Sequence, residues 1–151
     1  MTREHLELIV REWQRRLNIP HWRVTIDWDE PANENNYAEI TRTGALYEGA
    51  RMRLEPGYET WPLELANELI AHELMHAVMF DLQAAVESAE EVMTGAAFKL
   101  FEHRFVHELE GVVDRLALML VHYAGVVDPT DQTDTNPDPA REETTYVFST
   151  S

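Results

Sequence analysis

LELANELIAHELMHAVMF, residues 63–80, decides how this chain is read. Leu63, Leu65, Ala66, Leu69, Ile70, Leu74, Ala77 and Val78 leave almost no polar face, and Pro62 suits a first helical turn. The spacing predicts a buried helix from Leu63 to about Phe80. Two histidines and a glutamate, His72, Glu73 and His76, are set into that apolar run. Polar groups in such a place are costly unless something compensates them. The rest of the chain must therefore supply their partners.

At 151 residues the chain has the length of one domain, with 44% hydrophobic residues, enough to bury a core. Twelve Lys and Arg stand against 28 Asp and Glu, a formal charge of -16. That field repels nucleic acid and anionic membrane, and acidic groups attract divalent cations. Cysteine is absent, which excludes disulfides, a thiolate nucleophile and any Cys-based metal centre. MTREHLELIVREW at the start is charged and amphipathic, unlike a secretory signal, and no run is apolar enough for a transmembrane helix. A cytoplasmic setting is expected, with no nucleic-acid or membrane partner; the oligomeric state is not readable.

Outward from the central helix, the elements read as follows. Leu6, Ile9, Val10, Trp13 and Leu17 recur at helical spacing over residues 3–17, stopping before Asn18 and Pro20. Trp22, Val24, Ile26 and Trp28 alternate with polar residues as a half-buried strand. Residues 37–44 and 46–56 read as two more strands around a turn near Thr43-Gly44. Their short connections favour antiparallel pairing. Residues 82–98 are weakly helical or a connection. A second long helix covers 99–124, with Val106, Leu109, Val113, Leu116, Ala117 and Leu120 as its stripe. The fold class is α+β: an N-terminal helix, an antiparallel or mixed sheet of about three strands, the central helix and a C-terminal helix. Residues 1–126 form the domain. Residues 127–151 are an acidic, Pro- and Thr-rich tail expected to be disordered. Its apolar patch Tyr146-Val147-Phe148 either docks on the body or is loose.

His72-Glu73-Leu74-Met75-His76 is an HExxH pattern. On a helix, residues four apart share a face, so both imidazoles can reach one ion. Zinc favours neutral imidazole nitrogen, and three protein ligands leave a position for water. Glu73 would lie beside that water as general base, and later as acid toward a leaving amine. The competing reading is a chance pattern, but such patterns usually fall on exposed helices, not on the most apolar one. A third ligand comes from the second helix. Glu110 lies on the face of Val113, Ala117 and Leu120, whereas Glu108 shares the more exposed face of Arg115 and Met119. Asp114, one turn beyond Glu110, could accept the other ring N–H of a ligand histidine. His103 and His107 are also four apart, but in a charged run that reads as a solvated face. The four tryptophans, Trp13, Trp22, Trp28 and Trp61, read as core or sheet-face residues.

HExxH followed on a later helix by Glu-x-x-x-Asp resembles the gluzincin metallopeptidases. With so short a chain, residues 1–125 resemble the stripped-down minigluzincin core, which also occurs in ImmA/IrrE-type peptidases and small phage and bacterial metallopeptidases. The resemblance implies one Zn2+ held by His72, His76 and Glu110, with Glu73 as general base and Asp114 supporting a ligand histidine. It implies a peptide or protein substrate bound along a cleft-side strand, with Ala50, Arg51, Met52 and Arg53 expected to pair with it. Two departures stand out. The spacer between His76 and Glu110 is helix-prone rather than a short loop. No single oxyanion donor stands out among His103, His107, His122, Tyr123 and Tyr58. The main rival is a catalytically silent metal-binding or interaction protein on the same fold. A non-peptidase metal hydrolase and a nucleic-acid-mimicking regulatory partner are weaker ones.

Overall fold

The computed structural model describes residues 1–44 and 49–131. Helix α1 (Arg3–Arg16) starts where the Thr2 hydroxyl accepts the His5 N–H at 3.2 Å, and buries Leu6, Ile9, Val10 and Trp13. It stops at Asn18, whose φ of 58° is left-handed, a conformation asparagine tolerates better than most residues. Three strands follow: β1 (Arg23–Asp27), β2 (Ala38–Arg42) and β3 (Gly49–Leu54). Helix α2 (Leu63–Val78) comes next, then α3 (Phe80–Glu87), a short 3-10 turn (Ser88–Glu91) and the long α4 (Gly95–Ala124).

The sheet is mixed, in the order β1-β3-β2. β2 and β3 form the expected antiparallel pair, Ile40 opposite Met52. β1, however, pairs with β3 in parallel, Val24 beside Ala50 and Ile26 beside Met52. Short connections argued against a parallel pair, but β2 itself supplies the return path, running back on the far side of β3. No helical crossover is then required. The expected third strand also included residues 46–48, which lie outside the described residues.

One sheet face packs on the helices through Ala38, Met52 and Leu54, joined by Leu6, Ile9 and Trp13 of α1 and Ala66, Ile70 and Leu74 of α2. The other carries charged residues, with Arg53 reaching Glu39 at 3.2 Å and Arg51 reaching Asp27 at 3.6 Å. α4 closes the core from the opposite side with Leu109, Val113, Ala117 and Val121, a strict spacing of four. Two details differ from the expected stripe: Val106 is exposed and Val121 is buried. α4 begins at Gly95 rather than 99, and the segment left as weak helix is α3 plus the 3-10 turn. Phe80 turns inward there, its ring 5.8 Å from that of Trp22.

Asn67, fully buried on α2, joins three parts of the chain. Its Oδ1 accepts the Trp13 indole N–H and the Val127 backbone N–H, both at 2.8 Å. Its Nδ2 donates to the carbonyls of Leu63 at 2.9 Å and Val127 at 3.1 Å. Val127, assigned to the tail on composition, is thus buried and part of the body. The disorder expected of the tail otherwise concerns mainly residues 132–151, which lie outside the described residues.

Replacing Asn67 by Leu leaves the Trp13 indole and both Val127 backbone groups without partners. The variant should be destabilised by about 2–4 kcal/mol in urea unfolding. A loss below about 0.5 kcal/mol would mean that water or a shifted backbone takes over these bonds.

Candidate metal centre

Eight residues of α2 are buried, from Ala66 to Ala77, and Glu73 is among them. The helix lies between β2 on one side and α4 on the other. At the α4 side, His72 and His76 bring their Nε2 atoms to 3.0 Å from each other. Glu110 places Oε2 3.6 Å from the His72 Nε2 and Oε1 3.4 Å from the His76 Nε2. Asp114, one turn further along α4, accepts the His72 Nδ1–H at 2.9 Å. All four residues therefore meet as the spacing on the two helices predicts, and Glu110 rather than Glu108 is the carboxylate that turns in. Among the described residues His72, His76 and Glu110 are the group that could hold a metal ion.

The donor set fits a cation. A carboxylate only accepts, so Asp114 fixes the proton of His72 on Nδ1 and leaves a lone pair on Nε2. That lone pair, the second imidazole nitrogen and both oxygens of Glu110 converge on one point with at most one proton among them. Two arms of the length typical of Zn–N bonds, set at a tetrahedral angle, end about 3.3 Å apart. The separations here are 3.0, 3.4 and 3.6 Å. Burial also holds His76 below the usual imidazole range, opposed by Glu110, which favours the neutral ring a metal requires.

Glu73 projects to the other side of its neighbour histidine and lies under β2. Burial pushes its carboxyl up to about 8, the nearby Glu110 charge adds to this, and the Ile40 backbone N–H opposes it. The cleft above has a volume of about 350 Å³. Its walls are His72, Glu73, His76 and Glu110 on one side and Ala38, Glu39 and Ile40 of β2 on the other, with Phe80 and Gln83 of α3 at the end. Arg42 of β2 pairs with Asp81 of α3 at 3.1 Å.

The strand assigned to substrate is corrected. Ala50, Arg51, Met52 and Arg53 belong to β3, the central strand, whose two edges are taken by β1 and β2. It has no backbone groups left for an added strand, and Ala50 and Met52 are fully buried. The strand along the cleft is β2, paired with β3 on one edge and with no strand on the other among the described residues. Alternating patterns mark strands but not their order in the sheet, so nothing in the sequence separated β2 from β3. Phe80 and Gln83 were missed because α3 has little periodicity to read.

The candidate oxyanion donors are elsewhere. None of His103, His107, His122, Tyr123 and Tyr58 lines the cleft. Tyr58 packs on Trp28 and accepts from Arg3 at 3.3 Å, and Tyr123 is exposed with its ring against His122. His103 and His107 lie on an exposed stretch of α4, the solvated face expected of them.

Glu73 yields a stability test on chelated protein. A carboxyl raised from 4.5 to about 8 binds its proton more tightly folded than unfolded. The stability this gives is complete below about pH 4.5 and is lost as pH rises through about 8. In excess chelator, Glu73→Gln should melt several degrees above the unmodified protein at pH 8.5 and level with it at pH 4.5. A difference in Tm that does not change with pH would show that Glu73 is not buried as a neutral acid.

Comparison with protein-family models, curated proteins and solved structures returned no match, so the chemistry of this centre is argued from its geometry alone.

Proposed function

We propose that the protein is a zinc-dependent metallopeptidase. The observation that carries this reading is the meeting of two Nε2 atoms and one carboxylate within 3.6 Å, at a cleft whose floor holds a buried glutamate. Tetrahedral preference and the two-nitrogen, one-oxygen donor set favour zinc, with His72, His76 and Glu110 as its ligands. Bound there, zinc would supply Lewis acidity, polarising a peptide carbonyl and making a water molecule more acidic. Glu73 takes the proton of the attacking water and delivers it to the amide nitrogen as the C–N bond breaks. Asp114 holds the His72 ring in the tautomer that leaves Nε2 free. β2 offers its open edge to an extended peptide, whose backbone can pair with it while the scissile bond lies over Glu73.

One observation favours a second reading, a metal-binding protein without turnover. Among the described residues, no histidine or tyrosine other than the two ligand histidines lines the cleft to steady a developing oxyanion. The two readings share the metal and differ in the reaction.

Metal analysis and proteolysis separate them. The purified protein should carry one zinc per chain and cleave an unfolded protein substrate such as reduced casein. Glu73→Gln should keep the zinc and lose about 10²–10⁴-fold in cleavage rate. Absence of zinc-dependent cleavage with stoichiometric zinc would leave the silent binder, and absence of zinc binding would overturn both.

Asp114 gives a graded prediction. Asp114→Ala should weaken zinc about 10–100-fold in competition with a chromophoric chelator, while Glu110→Ala weakens it further. Equal affinity in Asp114→Ala and the unmodified protein would remove the orienting role.

A further inference from the structure

Helix α4 carries more apolar surface than the fold covers. Its first half, residues 95–108, buries only Phe98. Among the described residues, more than half of the large apolar side chains that stand exposed lie on this one helix. A concentration of that kind marks an interaction surface.

The uncovered residues fall on a line. Phe101, Phe105, Glu108, Val112, Arg115 and Met119 follow one another at steps of four, three, four, three and four. That alternation is the seam along which two helices pack. Tyr123, four beyond Met119, extends the seam to about 33 Å at 1.5 Å per residue. Phe101 is 41% exposed, Met119 53% and Tyr123 80%. Phe105 is half-buried against the cluster of Met75, Leu109 and Val113, with its ring 6.5 Å from that of Phe101. The seam is therefore continuous with the core. It is also separate from the metal centre, because Glu110 and Asp114 reach the histidines of α2 from another face of α4.

We infer that this seam is a homodimer interface, in which α4 packs antiparallel against α4 of a second copy about a two-fold axis near Val112. The order of residues along the seam selects that partner. It is apolar at Phe101 and Phe105, acidic at Glu108, apolar at Val112, basic at Arg115, and apolar again at Met119 and Tyr123. Turned end for end about Val112, the pattern meets itself with its charges exchanged. Glu108 of each copy comes opposite Arg115 of the other, and the two phenylalanines come over Met119 and Tyr123. A two-fold interface requires this self-complementarity. Parallel packing would instead set Glu108 on Glu108 and Arg115 on Arg115.

Both charged residues are available for such a pair. Glu108 and Arg115 are exposed, and neither makes an ion pair among the described residues. On α1, by contrast, Glu7 is paired with Arg11, and Glu12 with Arg15 and Arg16. The charge of -16 is not concentrated on this face. Apart from Glu110 and Asp114, α4 carries Lys99, Arg104 and Arg115 against Glu102 and Glu108. In physiological salt, charges farther apart than about 8 Å are largely screened, so the balance at the contact matters more than the total.

Sedimentation velocity of the full chain in physiological salt, over about a hundredfold range of concentration, tests the inference. The mass should rise from one chain to two and stop there. Glu108→Arg and Arg115→Glu should each weaken the dimer at least about tenfold, since each sets two pairs of like charges across the axis. An equal mixture of these two variants should regain the unmodified affinity, and so should the double variant carrying both changes. That recovery would also show that the single variants fold. A chain that stays monomeric throughout would overturn the inference. So would a dimer indifferent to either single reversal, or one that the double variant fails to restore, because the contact would then lie elsewhere or run parallel.

Discussion

Helix α2 must be buried on both sides and yet carry Asn67, His72, Glu73 and His76 at its packed positions, and the rest of the molecule is arranged around that constraint. The conflict is settled at two levels. Near its start, Asn67 uses both lone pairs and both N–H groups on Trp13, Leu63 and Val127, so it needs nothing from outside. Two turns later no such closure occurs. His72, His76 and Glu110 point acceptors at one another, and Glu73 lies buried beside them. One helix thus holds a polar group satisfied by protein and a polar cluster whose geometry asks for a cation. The first level fixes the helix against α1 and the segment that follows α4. That rigidity gives the second its precision, since ligands on packed helices hold their positions better than ligands on loops.

The parts of the fold legible in the sequence were those set by local periodicity. α1, α2 and most of α4 follow from apolar residues at spacings of three and four, and the three strands from alternation. What could not be read was the pairing. β1 and β3 lie parallel because β2 occupies the return path, and that depends on where the hairpin docks on α2, a relation absent from any local pattern. α3 was also invisible as a defined helix. It buries only Phe80, and a helix with one buried residue leaves almost no periodic trace.

The site was legible for a different reason. Four of its groups lie on two helices at separations of four, where the helical repeat alone puts them on one face. The choice of Glu110 over Glu108 needed only the apolar stripe of α4, and Leu109, Val113 and Ala117 do form that stripe. The cleft-side strand failed this test. Both β2 and β3 alternate, and only the order of strands decides which one is central. An apolar pattern in fact points the wrong way: Ala50 and Met52 are the most buried strand residues because β3 is enclosed, and enclosure removes the edge that a peptide would need.

A three-stranded sheet has two edges, and an open edge invites unwanted pairing. β2 meets this with length and charge. It is five residues long, Glu39 is tied to Arg53, and Arg42 at its end is drawn to Asp81 of α3. Its middle, at Ile40, faces Glu73 across the cleft, so an incoming strand meets the buried carboxyl first. Those contacts tie down Glu39 and Arg42, and at the middle of the strand the Ile40 N–H is bonded to the Glu73 carboxylate. An extended peptide of the kind proposed would lie against His72, Glu73 and His76 only by displacing Glu73 from the Ile40 N–H, so pairing at this edge and the state of the buried carboxyl would be linked.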